Sequence, residues 1–200
     1  MKLFINSGSP FARKCRILVQ ELALTDQVQM VPVVTTDSAP DHVAVNPFAQ
    51  IPALVTDAGE TFIDSTLICE WLVAHYGEVA LYPEGEAYWA ARQLMALTQG
   101  VLEASVKRVI ETRRPESERS AFWLKRWEEG IHRGFAAIEA VCPAVVDDAE
   151  YGLAEMSVAI AATYAVFRFP DIDWLANAPK VAALTATLEK RQSFIDTYPS

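Results

Sequence analysis

The spacing of apolar residues changes once along this chain of 200 residues. Before residue 77, short runs rich in branched and apolar residues alternate with segments in which apolar residues recur every three or four positions. From residue 86 onward only the second, helical spacing remains. The first part therefore predicts a small α/β domain, and the second predicts an all-helical one.

Residues typical of turns and helix ends refine this division. DAGE at 57–60 predicts a hairpin turn between two strands, and Gly77 predicts the end of the helix that follows them. The predicted order is strand–helix–strand, a segment without a clear period, and then strand–strand–helix. Glycine, proline and acidic residues give 77–85 the composition of a linker, so we predict domains at 1–76 and 86–200. The predicted strands are 2–5, 28–34, 53–56 and 60–63, and the predicted helices of the second domain are 86–113, 116–142, 153–168 and 179–195.

Charge and cysteine content exclude several classes of protein. The net charge of −9 repels a phosphate backbone, so nucleic acid is not expected as a partner. No apolar run approaches the ~18 residues that a membrane span needs, so no membrane partner is expected. Cys15, Cys69 and Cys142 are odd in number and widely spaced, which fits neither a disulfide framework nor a CxxC metal motif. We expect buried thiols in a cytoplasmic protein.

The first candidate site is the turn SPF at 9–11, between a strand and a helix. Ser9 and Pro10 are favoured residues at a helix start, and this structural role alone explains them. The exposed N–H groups and dipole of a helix start also suit an anion such as a thiolate, with the Ser9 hydroxyl as a hydrogen-bond donor. Both interpretations remain open at this point.

Two further motifs follow in the α/β part. Pro52 stands where a strand begins, and it is either an ordinary edge residue or part of a cis peptide bond. A cis bond would turn the backbone of Ile51 outward, where it could pair with a peptide-like ligand. Ser65 is a candidate N-cap. Asp64 beside it is also suited to bind an amino-acid head group, because its carboxylate can pair with the ammonium of the ligand. In chain order the motifs offer a thiol pocket, a peptide edge and an amino-acid pocket, as a tripeptide with a central thiol would require.

At this point the chain resembles the glutathione transferase superfamily over nearly its whole length, and in particular the bacterial members with a Ser-Pro-Phe turn. The resemblance implies a thioredoxin-like domain followed by a helical domain, a homodimer, glutathione as co-substrate, no metal and a role in detoxification. The segments that carry it are SPFARK, NPFAQIPAL (46–54), DSTLICEWL (64–72) and GLAEMSVAIAATY (152–164).

The same resemblance implies roles for individual residues. Ser9 occupies the position of the active-site hydroxyl, and Ile51, before a cis Pro52, binds the cysteinyl backbone of glutathione. Asp64 and Ser65 bind its γ-glutamyl end. Gln50 stands where relatives often carry a lysine, and it offers only a neutral amide to the glycyl carboxylate. Phe11 is expected at the glutathione site and also, with Ser105 and Arg108, beside the electrophile between the domains.

The chemistry favoured by these residues is conjugation. Ser9 to Ala12 contains neither sulfur of a CxxC motif, so dithiol exchange is not expected. A serine can instead stabilise the glutathione thiolate, which then attacks an electrophilic carbon. Ser7 is a second candidate for that hydroxyl. A non-catalytic binding module on the same fold is the alternative, and a metal hydrolase has little support because the three histidines show no ligand spacing.

Overall fold

The computed structural model describes residues 1–77, 82–143 and 151–200. The chain divides into two compact units, one of Met1–Leu81 with Gln192–Ser200 and one of Tyr82–Arg191. The predicted linker 77–85 lies partly outside the described residues. Within the described ranges, no helix combines the length and the apolar character that crossing a membrane requires.

The N-terminal unit contains a four-stranded sheet with the strand order β2-β1-β3-β4. Strand β1 runs parallel to β2 and antiparallel to β3, and β3 pairs with β4 through the predicted hairpin. This is the thioredoxin-like arrangement expected from the sequence. The elements are β1 (Lys2–Ile5), α1 (Pro10–Glu21), β2 (Gln29–Pro32), α2 (Pro40–Val45), β3 (Ala53–Val55), β4 (Thr61–Phe62) and α3 (Ser65–Tyr76).

The core of this unit forms where the central strands meet the helices. Leu3 of β1 and Leu54 of β3 lie opposite each other, and both are completely buried. Helix α1 packs on α3, where the Sγ atoms of Cys15 and Cys69 lie 3.9 Å apart. All three cysteines are free and buried, as predicted. Burial and the neighbouring Cys69 raise the pKa of the Cys15 thiol well above its ordinary value. Cys15 therefore stays protonated and packs in the core as a small apolar side chain.

The C-terminal segment differs from the single helix predicted there. The sequence predicted one helix over 179–195, but the structure has α7 (Pro179–Leu188) and a separate α8 (Gln192–Asp196), and 192–200 belongs to the N-terminal unit. The reason is the buried Arg13 of α1, whose Nη2 donates to the carbonyl of Phe194 over 2.9 Å. Burying a guanidinium requires such acceptors, and the chain end supplies them.

The second unit is helical throughout its described residues. Helix α6 (Leu153–Arg168) forms its centre, because Glu155 and the last three residues are its only members that are not buried. The predicted helix 116–142 is interrupted, since Glu116–Glu118 form a short 3-10 turn and the Ser120 hydroxyl then accepts from the N–H of Trp123 to start a new helix. The remaining elements are α4 (Glu86–Thr112), α5 (Ala121–Val141) and α6 (Leu153–Arg168).

Candidate functional site

The three predicted motifs of the N-terminal unit meet at one edge of its sheet. Ser9 follows the end of β1, and Ile51 precedes the start of β3. Because these strands are antiparallel and Phe4 lies opposite Ala53, the end of β1 adjoins the start of β3. Strand β4 runs antiparallel to β3, so Asp64, just after β4, reaches the same edge. Strand register thus gathers residues separated by more than 50 positions of sequence.

Ser9 is the N-cap of α1, and Pro10 is the first helical residue. Its Oγ accepts a hydrogen bond from the N–H of Ala12 over 3.2 Å. A hydroxyl has two acceptor sites and one donor, so capping leaves the hydrogen of Ser9 available to a ligand. In the described part of the chain no acceptor binds the N–H of Phe11. The capping role and the anion-binding role are therefore compatible at one residue.

Ser7, the second candidate hydroxyl, has a different environment. Its hydroxyl and that of Ser200 are hydrogen-bonded to each other over 2.8 Å. The side chain of Asn6 accepts from the N–H of Gly8 over 2.9 Å and fixes the turn before Ser9. Of the two serines, Ser9 alone sits at the start of a helix, where the dipole favours an anion.

The peptide bond between Ile51 and Pro52 is cis, as predicted. The carbonyl of Gln50 is held from within the protein, by Nε2 of His42 over 3.1 Å and by Nδ2 of Asn46 over 2.8 Å. The next peptide group is different, because neither the N–H nor the C=O of Ile51 takes part in a hydrogen bond with the described chain. Ile51 therefore presents an unused donor and acceptor at the sheet edge.

The residues before Ile51 carry the departure noted in the sequence. The side chain of Gln50 is exposed and neutral. Ala49 has a φ of +50°, in the left-handed region that glycine adopts without cost. Ala49 therefore adopts a backbone conformation that is costly for a residue with a Cβ.

At the third motif the N-cap differs from the predicted one. Asp64, not Ser65, caps α3, and its Oδ1 accepts from the N–H groups of Thr66 and Leu67 over 2.9 and 3.3 Å. Carboxylates cap as well as hydroxyls do, which spacing alone could not resolve. Both capping bonds use Oδ1, so Oδ2 of the exposed Asp64 lies outside the cap. Ser65 is buried, and its carbonyl lies 3.6 Å from Sγ of Cys15.

The three residues predicted to contact an electrophile belong to different units. Phe11 is half-buried on the first turn of α1. Ser105 is completely buried in the helical unit, and its hydroxyl donates to the carbonyl of Val101 over 2.8 Å. Arg108 pairs with Glu128 over 2.6 Å, and its Cζ lies 4.0 Å from the centroid of the Phe169 ring. Ser105 and Arg108 are thus engaged in the packing of their own unit.

The histidines do not come together. His42 is buried at Gln50, Nδ1 of His75 lies 2.8 Å from the carbonyl of Trp71, and His132 packs on Trp174. In residues 1–77, 82–143 and 151–200, no three His, Cys, Asp or Glu side chains are grouped as metal ligands.

Comparison with known proteins identifies the family. The family model described as "Glutathione S-transferase, N-terminal domain" matches residues 3–80. The Escherichia coli K12 protein named "Uncharacterized GST-like protein YibF" is 30% identical over 203 residues, which span 100% of this chain and 98% of that protein. The chain belongs to the glutathione transferase superfamily.

Two solved structures of a glutathione transferase family member from Pseudomonas fluorescens Pf-5 extend the similarity to three dimensions. One contains bound glutathione, has a TM-score of 0.91 and 31% identity, and the match covers 100% of this chain and 98% of that one. The other contains bound S-(propanoic acid)-glutathione, has a TM-score of 0.86 and 32% identity, and covers 100% of both chains. The whole glutathione transferase fold is therefore shared.

Sequence reasoning missed the pair that anchors the Gln50 carbonyl. His42 and Asn46 lie one helical turn apart on and just after α2, a segment without a clear period. Asn46 precedes a proline, and its Oδ1 accepts from the N–H of Phe48, a turn that the Asn-Pro dipeptide favours. That dipeptide was the available signal. His42 gave none, because its role depends on burial against Phe4.

Proposed function

We propose that this glutathione transferase superfamily member binds glutathione, stabilises its thiolate with the Ser9 hydroxyl, and adds the sulfur to small electrophiles. One observation carries the proposal. At a single sheet edge, three motifs retain unused hydrogen-bonding capacity in the order in which glutathione would need it. They are the hydrogen of Ser9, the backbone of Ile51, and the carboxylate of Asp64 beside the start of α3.

The peptide part of glutathione would bind as an added strand. Its cysteinyl N–H and C=O would pair with the C=O and N–H of Ile51, since both groups are unused. Asp64 would take the γ-glutamyl ammonium through Oδ2, and the N–H of Ser65, the first residue of α3, would donate to the γ-glutamyl carboxylate. Gln50, two residues before Pro52, would donate its side-chain amide to the glycyl carboxylate. A relative of the same fold contains bound glutathione, which supports glutathione as the ligand.

The reaction needs the sulfur as an anion. The thiol proton leaves to solvent, and the sulfur lone pair attacks an electrophilic carbon. In a substitution, the leaving group departs with its bonding pair. In an addition, the π bond of an activated double bond breaks, and its electron pair takes up a proton from solvent. The Ser9 hydroxyl and the N–H of Phe11 would donate to the anion. A hydrogen bond to a charged group contributes about 1.5–3 kcal/mol. At about 1.4 kcal/mol per unit, the hydroxyl would lower the pKa of the bound thiol by about one to two units.

For the acceptor, Phe11 is the predicted neighbour in the N-terminal unit. The hydroxyl of Ser105 is not assigned to the acceptor, because it already donates a hydrogen bond to a carbonyl of α4. The charge of Arg108 is compensated by Glu128 within the helical unit, so we assign it no more than a minor contribution. We further propose a cytoplasmic homodimer with a role in detoxification. The indole of Trp89, 68% exposed on α4, is a candidate contact between copies.

The experiment that tests the proposal combines binding and turnover. Calorimetry measures glutathione affinity, and mass spectrometry detects the conjugate formed with 1-chloro-2,4-dinitrobenzene. We expect saturable binding and a conjugate that has lost HCl. Absence of glutathione binding would refute the proposal, whereas binding without turnover would leave the non-catalytic module.

A further inference from the structure

The carbonyl oxygen of Gln50 is held by two side chains that are almost completely buried. His42 is 1% exposed and Asn46 is 2% exposed. Nε2 of His42 lies 3.1 Å from this oxygen, and Nδ2 of Asn46 lies 2.8 Å from it. A carbonyl oxygen only accepts hydrogen bonds, so Nε2 of His42 carries a hydrogen and both side chains donate. Together they use both lone pairs of the Gln50 oxygen.

The backbone around this pair brings the two donors to one place. The N–H of Asn46 donates to the carbonyl of His42 over 2.8 Å. The side chain of Asn46 accepts from the N–H of Phe48 over 3.0 Å, and its carbonyl accepts from the N–H of Ala49 over 2.9 Å. These bonds turn the chain back, so that the carbonyl of Gln50 meets both side chains.

The imidazole of His42 has one polar contact in the described chain. Its ring stacks on Phe4, with 6.0 Å between the ring centroids. Its Nδ1 is buried and has no hydrogen-bond partner among residues 1–77, 82–143 and 151–200. An apolar ring could fill this space without burying an unsatisfied nitrogen. The bond to Gln50 is therefore the contact that requires a histidine at this position.

Peptide geometry transmits this contact to Ile51. The C=O of Gln50 and the N–H of Ile51 belong to one planar peptide group, and in its trans form they point in opposite directions. The peptide bond between Gln50 and Ile51 is trans. Holding the oxygen on one side thus directs the N–H of Ile51 to the other side, where no group of the described chain accepts it.

We propose that His42 and Asn46 are positioning residues for glutathione, because they aim the N–H of Ile51 at the cysteinyl carbonyl of the bound tripeptide. Neither side chain touches the ligand in this role. With the peptide group held through both lone pairs of its oxygen, the donor is in place before glutathione arrives, and binding does not have to order it. This inference rests on the proposed function, because the N–H that it positions is the one assigned to glutathione.

The test removes one donor at a time. His42→Phe keeps an aromatic ring and removes Nε2. Asn46→Asp keeps an acceptor for the N–H of Phe48 and replaces the donating Nδ2 by an oxygen. The matched control is His75→Phe, because Nδ1 of His75 also lies 2.8 Å from a carbonyl, that of Trp71, and its ring is likewise stacked in the same unit. Thermal unfolding confirms that each variant is folded.

Calorimetry measures the affinity for glutathione. We expect the Kd to rise about 3- to 10-fold in His42→Phe and in Asn46→Asp, which corresponds to about 0.7–1.4 kcal/mol, the contribution of one hydrogen bond between neutral groups. His75→Phe keeps the wild-type Kd. The kcat at saturating glutathione and the pKa of the bound thiol stay at their wild-type values, because Ser9 is unchanged. A lower kcat or a shifted thiol pKa in a folded variant would contradict a role confined to Ile51.

A second ligand separates positioning from a general loss of structure. γ-Glutamylcysteamine retains the γ-glutamyl group and the thiol but has no cysteinyl carbonyl, so it cannot accept from the N–H of Ile51. Its Kd should be the same in the wild type and in both variants. An equal loss for both ligands, or an unchanged Kd for glutathione in either variant, would overturn the inference and leave the transferase function intact. Failure of the wild type to bind glutathione would instead refute the proposed function, and this role with it.

Discussion

Replacing Ser9 by alanine should separate the two roles of its hydroxyl. The side chain caps α1 through the bond from Ala12 N–H, and it is proposed to donate to the glutathione sulfur. Loss of a serine N-cap costs about 1 kcal/mol of folding free energy. Loss of a donor to the thiolate raises the pKa of the bound thiol by about one to two units, from about 1.5–3 kcal/mol for the charged hydrogen bond.

The chain offers a matched control for the first effect. Ser120 is also a serine N-cap, with the bond from Trp123 N–H at 3.4 Å, but it starts α5 in the helical unit. Ser120→Ala therefore loses a cap of the same chemistry without touching the proposed thiolate site. Urea unfolding followed by circular dichroism measures both variants, and we expect similar decreases in the free energy of unfolding.

The effect on the thiolate is measured as the pKa of the thiol of bound glutathione. Ultraviolet absorbance of the thiolate, recorded against pH with saturating glutathione, gives its pKa in the complex. We expect Ser9→Ala to raise that pKa and to shift the pH dependence of kcat/KM to higher pH by the same amount, and Ser120→Ala to do neither. The reasoning is refuted if Ser9→Ala loses stability like the control but leaves the pKa of the bound thiol unchanged. A shift in Ser7→Ala instead would transfer the role to that residue.

Further predictions follow from the same contacts. Asp64→Asn should retain the helix cap, because asparagine is as good an N-cap as aspartate. It should weaken glutathione binding about tenfold in calorimetry, because it removes the charge opposite the ammonium. No such loss should occur with a glutathione analogue that lacks the amino group. Burial and nearby Glu139 raise the pKa of Cys142 to about 11. Labelling of Cys142 by iodoacetamide near neutral pH should therefore be roughly a hundred times slower than that of an ordinary thiol, and it should accelerate as pH rises. Rapid labelling in the native protein would contradict this. Arg13→Met should lower the free energy of unfolding by about 2–4 kcal/mol in urea titrations, because the carbonyl of Phe194 loses a buried charged donor; a loss below about 0.5 kcal/mol, typical of surface substitutions, would contradict it.

Local signals were sufficient for most elements of the fold. Strands 2–5 and 53–56, the hairpin at 57–60 and the helix ending at Gly77 follow from apolar spacing and turn residues, and the structure confirms them within a few residues. Helix α2 was not predicted. Its six residues are too few to display a period, and its Ala39 N-cap makes no side-chain hydrogen bond.

Long-range contacts explain what the sequence did not reveal. The end of a helix near Leu188 and the return of 192–200 to the N-terminal unit depend on the buried Arg13, more than 170 residues away. Such a pairing leaves no local pattern. The choice of Asp64 over Ser65 as N-cap was equally hidden, because both residue types cap helices well.

The candidate site was predictable in its composition but not in its geometry. Ser9, Ile51 and Asp64 stood out from their positions at element starts. Only the strand register shows that they share one sheet edge.

The most direct measurement is a crystal structure of the protein with glutathione bound. We expect the cysteinyl N–H and C=O to pair with the backbone of Ile51 and the sulfur to accept a hydrogen bond from Ser9 Oγ. Glutathione bound elsewhere, or lying at this edge with its sulfur out of reach of Ser9, would contradict it.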